Sequence, residues 1–174
     1  MQIDLEKLTS PPLVNSTCAE CGTLVPADFQ SCDAFLQFVL TDLKSAPPRL
    51  LIDTFAMQHP RRACKSAKSY AGHFTGLCCG VEYAGSKNVY AAIQRWLSSP
   101  AERIGLTRPQ EPEYRGRLTL RHVHGADVQS NVEPRLREWA TDVWAAYASQ
   151  QDIARRWIAT ALKWNEPGHD RRSG

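Results

Sequence analysis

The chain contains no unbroken apolar run of about 18 residues, the length a membrane-spanning helix requires, so no spanning helix is expected. Its first ten residues, MQIDLEKLTS, include acidic side chains and no apolar segment, which speaks against a secretory signal. Neither sign of charge prevails: 21 Lys and Arg stand against 18 Asp and Glu, for a net charge of +3. So weak a balance does not define a nucleic-acid surface, which needs basic residues clustered on one face. The most basic tract, Arg171-Arg172, reads as part of a frayed tail. No Gly-rich phosphate loop, GxSxG elbow or HExxH pair occurs, so the common motifs of phosphate binding, acyl transfer and zinc proteolysis are absent. No tract alternates polar and apolar residues over a strand's length, and there is no internal repeat or low-complexity stretch. Together these absences point to a cytoplasmic protein without a membrane partner. Its six cysteines are then thiols or metal ligands rather than disulfides.

What is present begins with Cys18-Ala19-Glu20-Cys21-Gly22, followed by Cys32. A CxxCG turn places two thiolates within reach of one tetrahedral ion, and its glycine permits the tight backbone turn. Cys18, Cys21 and Cys32 supply three ligands of a structural Zn2+ site, which needs a fourth. His59 is the first candidate, because it stands at a helix end beside Pro60, where a ring can reach a neighbouring loop. His73 is the alternative, at the edge of an apolar helix stripe. Cys64, Cys78 and Cys79 are further options, although Cys78 falls within that stripe and suits a small packed hydrophobe. Redox use of CxxC would place the motif at a helix N-terminus after a strand. No strand precedes it here, and Pro26 follows soon after.

A hydrophobic content of 43% is that of a folded chain. The pattern predicts an all-α fold, a bundle of about five or six helices with an N-terminal zinc-knuckle turn. Residues 1–17 are expected to form an irregular arm, 18–165 a single helical domain and 166–174 a flexible tail. Ser31 reads as an N-cap, with Phe35, Phe38, Val39 and Leu43 at helical spacing to about Lys44. A second helix is expected from about Leu50 to His59, stopped by Pro60, and a third from about Cys64 to Tyr83. A fourth covers about Lys87 to Ser98. Residues 105–117 read as loop, and Leu118-Thr119-Leu120 as either a short strand or one helical turn. Pro134 suits a first helical turn. Leu136, Trp139, Ala140, Val143, Trp144 and Tyr147 then form one apolar stripe, and Ile153, Trp157, Ile158, Ala161 and Leu162 another. Ser149 and Asp152 resemble a capping box that splits or bends this segment.

Other residues carry weaker signals. His122 and His124 form an HxH pair without an evident third ligand. Asp53 lies among apolar neighbours and is expected to pair with an arginine or cap a helix. The C-terminal aromatics recur at a spacing that suits core or interface better than a base-stacking platform.

The ordered set CxxCG, Cys32, Gln58-His59-Pro60, His73 with Leu77-Cys78, Gly116-Arg117-Leu118-Thr119, Trp139-Ala140-x-x-Val143-Trp144-x-x-Tyr147 and Arg155-Arg156-Trp157-Ile158 resembles an uncharacterised family of small bacterial proteins. The resemblance spans about residues 18–158 and implies a fold without implying a reaction. In the family pattern a histidine precedes the apolar stretch leading into QHP, and a His-His pair lies between the Trp-rich helix and the Arg-x-Trp segment. Such histidines would make an open, DinB-like metal site. This chain carries Pro48 and Gln150-Gln151 there. The expected function is therefore that of a non-catalytic zinc-stabilised protein acting on a macromolecular partner, another protein first. A DinB-like metal-dependent hydrolase or transferase and a nucleic-acid-binding zinc protein are the alternatives. No catalytic residue is assigned.

Overall fold

The computed structural model describes residues 16–43, 46–100, 105–125 and 131–164. Most of the expected arm and tail lies outside the described residues. The arm's last two residues are ordered by pairing: Thr17 bridges Leu24 in antiparallel fashion, and the Ser16 carbonyl accepts from the Val25 amide at 2.8 Å.

Helix α1 (Cys32–Asp42) starts where the Ser31 hydroxyl accepts from the Ala34 amide at 3.1 Å. This side-chain cap satisfies one of the first-turn donors that a helix leaves unpaired. Cys32, Phe35, Leu36 and Val39 point inward, whereas Phe38, expected in the same stripe, is 42% exposed. Its ring rests against Phe29 and His124 instead, at centroid distances of 5.1 and 5.3 Å. Helix α2 (Pro48–Gln58) begins two residues before the expected Leu50, because Pro48 takes the first-turn position that tolerates a missing N–H. It is buried from Asp53 to Gln58 without a break, as a central helix must be. A separate single turn, α3 (Pro60–Ala63), follows His59. Helix α4 (Ala67–Glu82) begins three residues later than expected, at the point where Ser66 caps the Ser69 amide at 3.1 Å.

Helix α5 (Lys87–Leu97) follows a turn at Gly85, whose φ of +69° favours glycine. Leu120–Val123 forms a single helical turn, α6, rather than a strand. Helix α7 (Val132–Ala146) carries Pro134 in its first turn, and a 3-10 turn at Ala148–Gln150 separates it from α8 (Gln151–Trp164). The break falls at the expected Ser149. Six helices of eleven residues or more make the fold all-α, among the described residues.

Helix α4 is the axle, packing on α2, α5, α7 and α8, while α2 also meets α3 and α7. Phe74, at the middle of α4, touches the rings of Tyr70, Trp144, Tyr147 and Trp157. Each such pair adds roughly 0.5–1.5 kcal/mol beyond area burial. Trp139 and Tyr147 have no exposed surface and Trp144 has 5%, so the aromatic residues of α7 are core. No helix among the described residues is long and apolar enough to cross a membrane.

Candidate metal centre

The knuckle is a short hairpin. The Cys18 amide donates to the Thr23 carbonyl and the Gly22 amide to the Cys18 carbonyl, both at 2.8 Å. Gly22 sits at φ +70°, the left-handed region where a side chain is strained, which is why the motif ends in glycine. The turn presents Cys18 and Cys21 on the side facing Cys32, the first residue of α1.

His59 closes the set. It ends α2 with φ −124° and ψ 50°, and Pro60 then starts α3, so the ring leaves the helical path. The ring stacks on Phe55 at a centroid distance of 4.0 Å, and Nδ1 lies 2.8 Å from the Phe55 carbonyl oxygen. That carbonyl only accepts, so Nδ1 carries the proton and Nε2 keeps a lone pair. Nε2 is buried and has no hydrogen-bond partner among the described residues. One ligand atom from each of Cys18, Cys21, Cys32 and His59 lies within 4.8 Å of the other three. Three sulfurs and one imidazole nitrogen are the donor set of a closed tetrahedral zinc site, and a carbonyl fixing the other ring nitrogen is the usual support of such a ligand. A buried acceptor left empty costs about 1–3 kcal/mol, a cost that an ion at this position would remove.

The thiols share charge unequally. Cys21 and Cys32 are 3.9 Å apart at sulfur. The hydrogen bond from Cys32 holds the Cys21 thiol below the ordinary thiol range despite its burial. The same hydrogen bond, burial and the neighbouring Cys21 and Cys18 push Cys32 well above the ordinary thiol range. A site that stabilises one thiolate and crowds the next is one that a cation would relieve. Outside the four, Arg62 Nη2 lies 3.4 Å from Cys18 Sγ, while its Nε donates to Glu20 Oε1 at 2.8 Å. The Glu20 carboxylate also accepts from the Arg61 amide at 3.1 Å, which docks the knuckle onto α3. A cavity of about 250 Å³ lies beside Cys18, Cys32 and Arg62.

The other candidates stand elsewhere. His73 does not join the four; its Nδ1 lies 2.9 Å from Asp53 Oδ1. Cys64, Cys78 and Cys79 are buried thiols pushed up by burial to about 12, 12 and 11, which suits small packed side chains. His122 pairs with Glu138 and His124 with Asp42, so the HxH residues are engaged separately. Asp53 pairs with Arg49 in the expected way. Pro48 starts α2, and Gln150 is tied to Tyr70 and to the Gln110 carbonyl.

The sequence alone did not disclose why Gln58 precedes His59. Its Nε2 donates to the carbonyls of Arg115 and Leu118, and its Oε1 accepts from Trp139 Nε1 at 3.2 Å. Likewise, Asp142 accepts from the amides of Arg117 and Leu118 at 2.6 and 2.8 Å. A Cβ on Gly116 would stand 2.5 Å from that carboxylate. Gln58 and Asp142 thus fasten the loop at 115–118 to the core.

Fold and site together define an all-α protein with a Cys3His cluster arranged to hold a metal ion. The chain belongs to a family of unknown function (DUF5946), which matches residues 16–148. No curated protein and no solved structure matches it.

Proposed function

We propose that the metal is zinc, that its role is structural, and that the protein acts by binding another protein rather than by metal chemistry. The observation that carries the reading is the buried, unbonded Nε2 of His59 aimed into three cysteines. Four protein ligands fill a tetrahedral shell and leave no position for water or substrate, which separates structural from catalytic zinc. Cys18, Cys21, Cys32 and His59 would hold the ion, which when bound supplies cross-linking energy to a small fold. Knuckle, α1 and the end of α2 would thereby be joined.

Support for a protein partner comes from the surface. Leu24 on the knuckle and Phe38 on α1, the two segments the ion would join, are 43% and 42% exposed. Four arginines are engaged with carboxylates and not free to grip phosphates: Arg62 with Glu20, Arg115 with Glu111, Arg137 with Glu133 and Arg155 with Glu82. Substitution of cobalt(II) for the native ion tests the closed site. Intense tetrahedral bands with sulfur charge transfer are expected. The weak bands of a five- or six-coordinate ion would contradict it. Salt-dependent affinity for DNA or RNA would contradict the protein-partner reading.

A further inference from the structure

Away from the cysteines, α2, α4 and α5 enclose a second cavity, of about 420 Å³, within the size range of small-molecule sites. Its polar lining is Arg49, Asp53, Lys68, Ser69, His73 and Gln94. The Asp53 side chain is 0% exposed, so its charge must be matched inside the fold. Arg49 Nε donates to Oδ2 at 2.8 Å, and His73 Nδ1 lies 2.9 Å from Oδ1, so both oxygens are engaged. Gly76 on α4 is what admits the carboxylate: a Cβ there would stand 2.0 Å from Oδ2.

The groups around this acid are held in place as a set. The Arg49 guanidinium lies 5.3 Å over the Tyr90 ring. With the Gln94 amide turned so that its oxygen meets the guanidinium, Gln94 accepts from Nη1 and Nη2 at 3.2 and 3.1 Å. Lys68 Nζ donates to the Ser99 carbonyl at 2.9 Å. A carbonyl carries no full charge, so the ammonium stays cationic toward the cavity. Asp53 Oδ1 accepts from His73 Nδ1–H, which leaves Nε2 as a lone-pair acceptor toward the cavity. The distribution is one-sided: the carboxylate has no exposed surface, while the Arg49 and His73 side chains are 41% and 26% exposed. A molecule entering meets a guanidinium, an ammonium and an imidazole, and never the acid that orients two of them.

We propose that this cavity binds the oxyanion of a small molecule through Arg49 and Lys68, while His73 Nε2 accepts from a hydroxyl of the same group, as in hydrogen phosphate, with Asp53 as the positioning residue. Guanidinium and ammonium donors to an oxyanion form the stronger, charge-assisted class of hydrogen bond. The site is separate from the cysteine cluster and stands whether or not that cluster holds zinc.

The test is titration of the full-length, isotope-labelled protein with inorganic phosphate and, separately, acetate at constant ionic strength, followed by NMR. Saturable shifts gathered at Arg49, Lys68, Gly72, His73 and Gln94 are expected with phosphate, and weaker binding of acetate, which has no proton to give His73; tighter binding of acetate overturns the proposal. Lys68→Gln and His73→Gln should each weaken binding roughly tenfold or more, Lys68→Arg should restore it, and surface Arg117→Gln should leave it unchanged. Both weakened positions are partly exposed, so the variants are expected to fold, which circular dichroism verifies. Long-range nitrogen–proton spectra should show the Nδ1–H form of the free His73 ring, lost in Asp53→Asn. Non-saturating, scattered shifts overturn the proposal. So does binding that Lys68→Gln and His73→Gln leave within twofold, or a His73 ring that does not answer to Asp53.

Discussion

His59 does two jobs with one ring. Its Nδ1 is held by the Phe55 carbonyl, which leaves Nε2 as the ring atom that faces the sulfurs. His59→Ala should therefore weaken metal affinity by at least about a hundredfold, read by competition with a chromophoric chelator. Arg62 contributes from outside the ligand set, since its Nη2 lies 3.4 Å from Cys18 Sγ and places a positive charge beside the site. Arg62→Gln should cost about tenfold in the same assay while the metal content at saturation is unchanged. Gly76 is constrained as tightly by a different group. Gly76→Ala should destabilise the fold by about 1–3 kcal/mol in chemical unfolding, because the added methyl displaces the buried Asp53 carboxylate. At this scale the cysteine spacing and the His-Pro step were legible in the sequence. The Asp53–Arg49 pair was expected in kind, four residues apart on one helix face. The Asp53–His73 contact was not, because it joins different helices and leaves no local spacing to read.

Among the elements, α4 depends on what happens at its C-terminal end. Glu82 accepts from Trp144 Nε1 at 2.9 Å and from Arg155 Nη2 at 2.6 Å, so one carboxylate links α4 to both α7 and α8. The Arg155 hydrogen bond, then that of Trp144, holds its carboxyl below the ordinary range. A depressed carboxylate contributes stability above its unfolded pKa of about 4.3, and that contribution is lost as pH falls through the folded value. Thermal melts should show wild type above Glu82→Gln at neutral pH, with the gap closing below about pH 4. Helix ends lie within two residues of expectation where a Ser or Pro signals them, as at Ser31 and Pro60. They slipped at α4, where the capping Ser66 was passed over for the apolar Cys64. Phe38 was placed inward by periodicity, but the stripe of α1 is too narrow to bury it, and its ring joins Phe29 and His124 at the surface.

For the molecule as a whole, the α2 helix connects the two sites. Asp53 and His59 are six residues apart, about 9 Å along the axis, so an ion fixing the end of α2 also fixes the helix that carries the oxyanion cavity. The all-α class was legible from helical periodicity and the absence of alternation. The layered contacts were not, because Gln58 to Trp139 and Tyr147 to the Met57 carbonyl join residues far apart in the chain. The C-terminal aromatics, expected as core or interface, are core at Trp139, Trp144 and Tyr147, since α4 brings Phe74 against the last two. The most direct test of the account is elemental analysis of the purified chain, paired with thermal unfolding before and after chelation. It predicts one zinc per chain and a midpoint that falls by about 10 °C or more when the ion is removed. A metal-free protein that melts at the same temperature in chelator would contradict it.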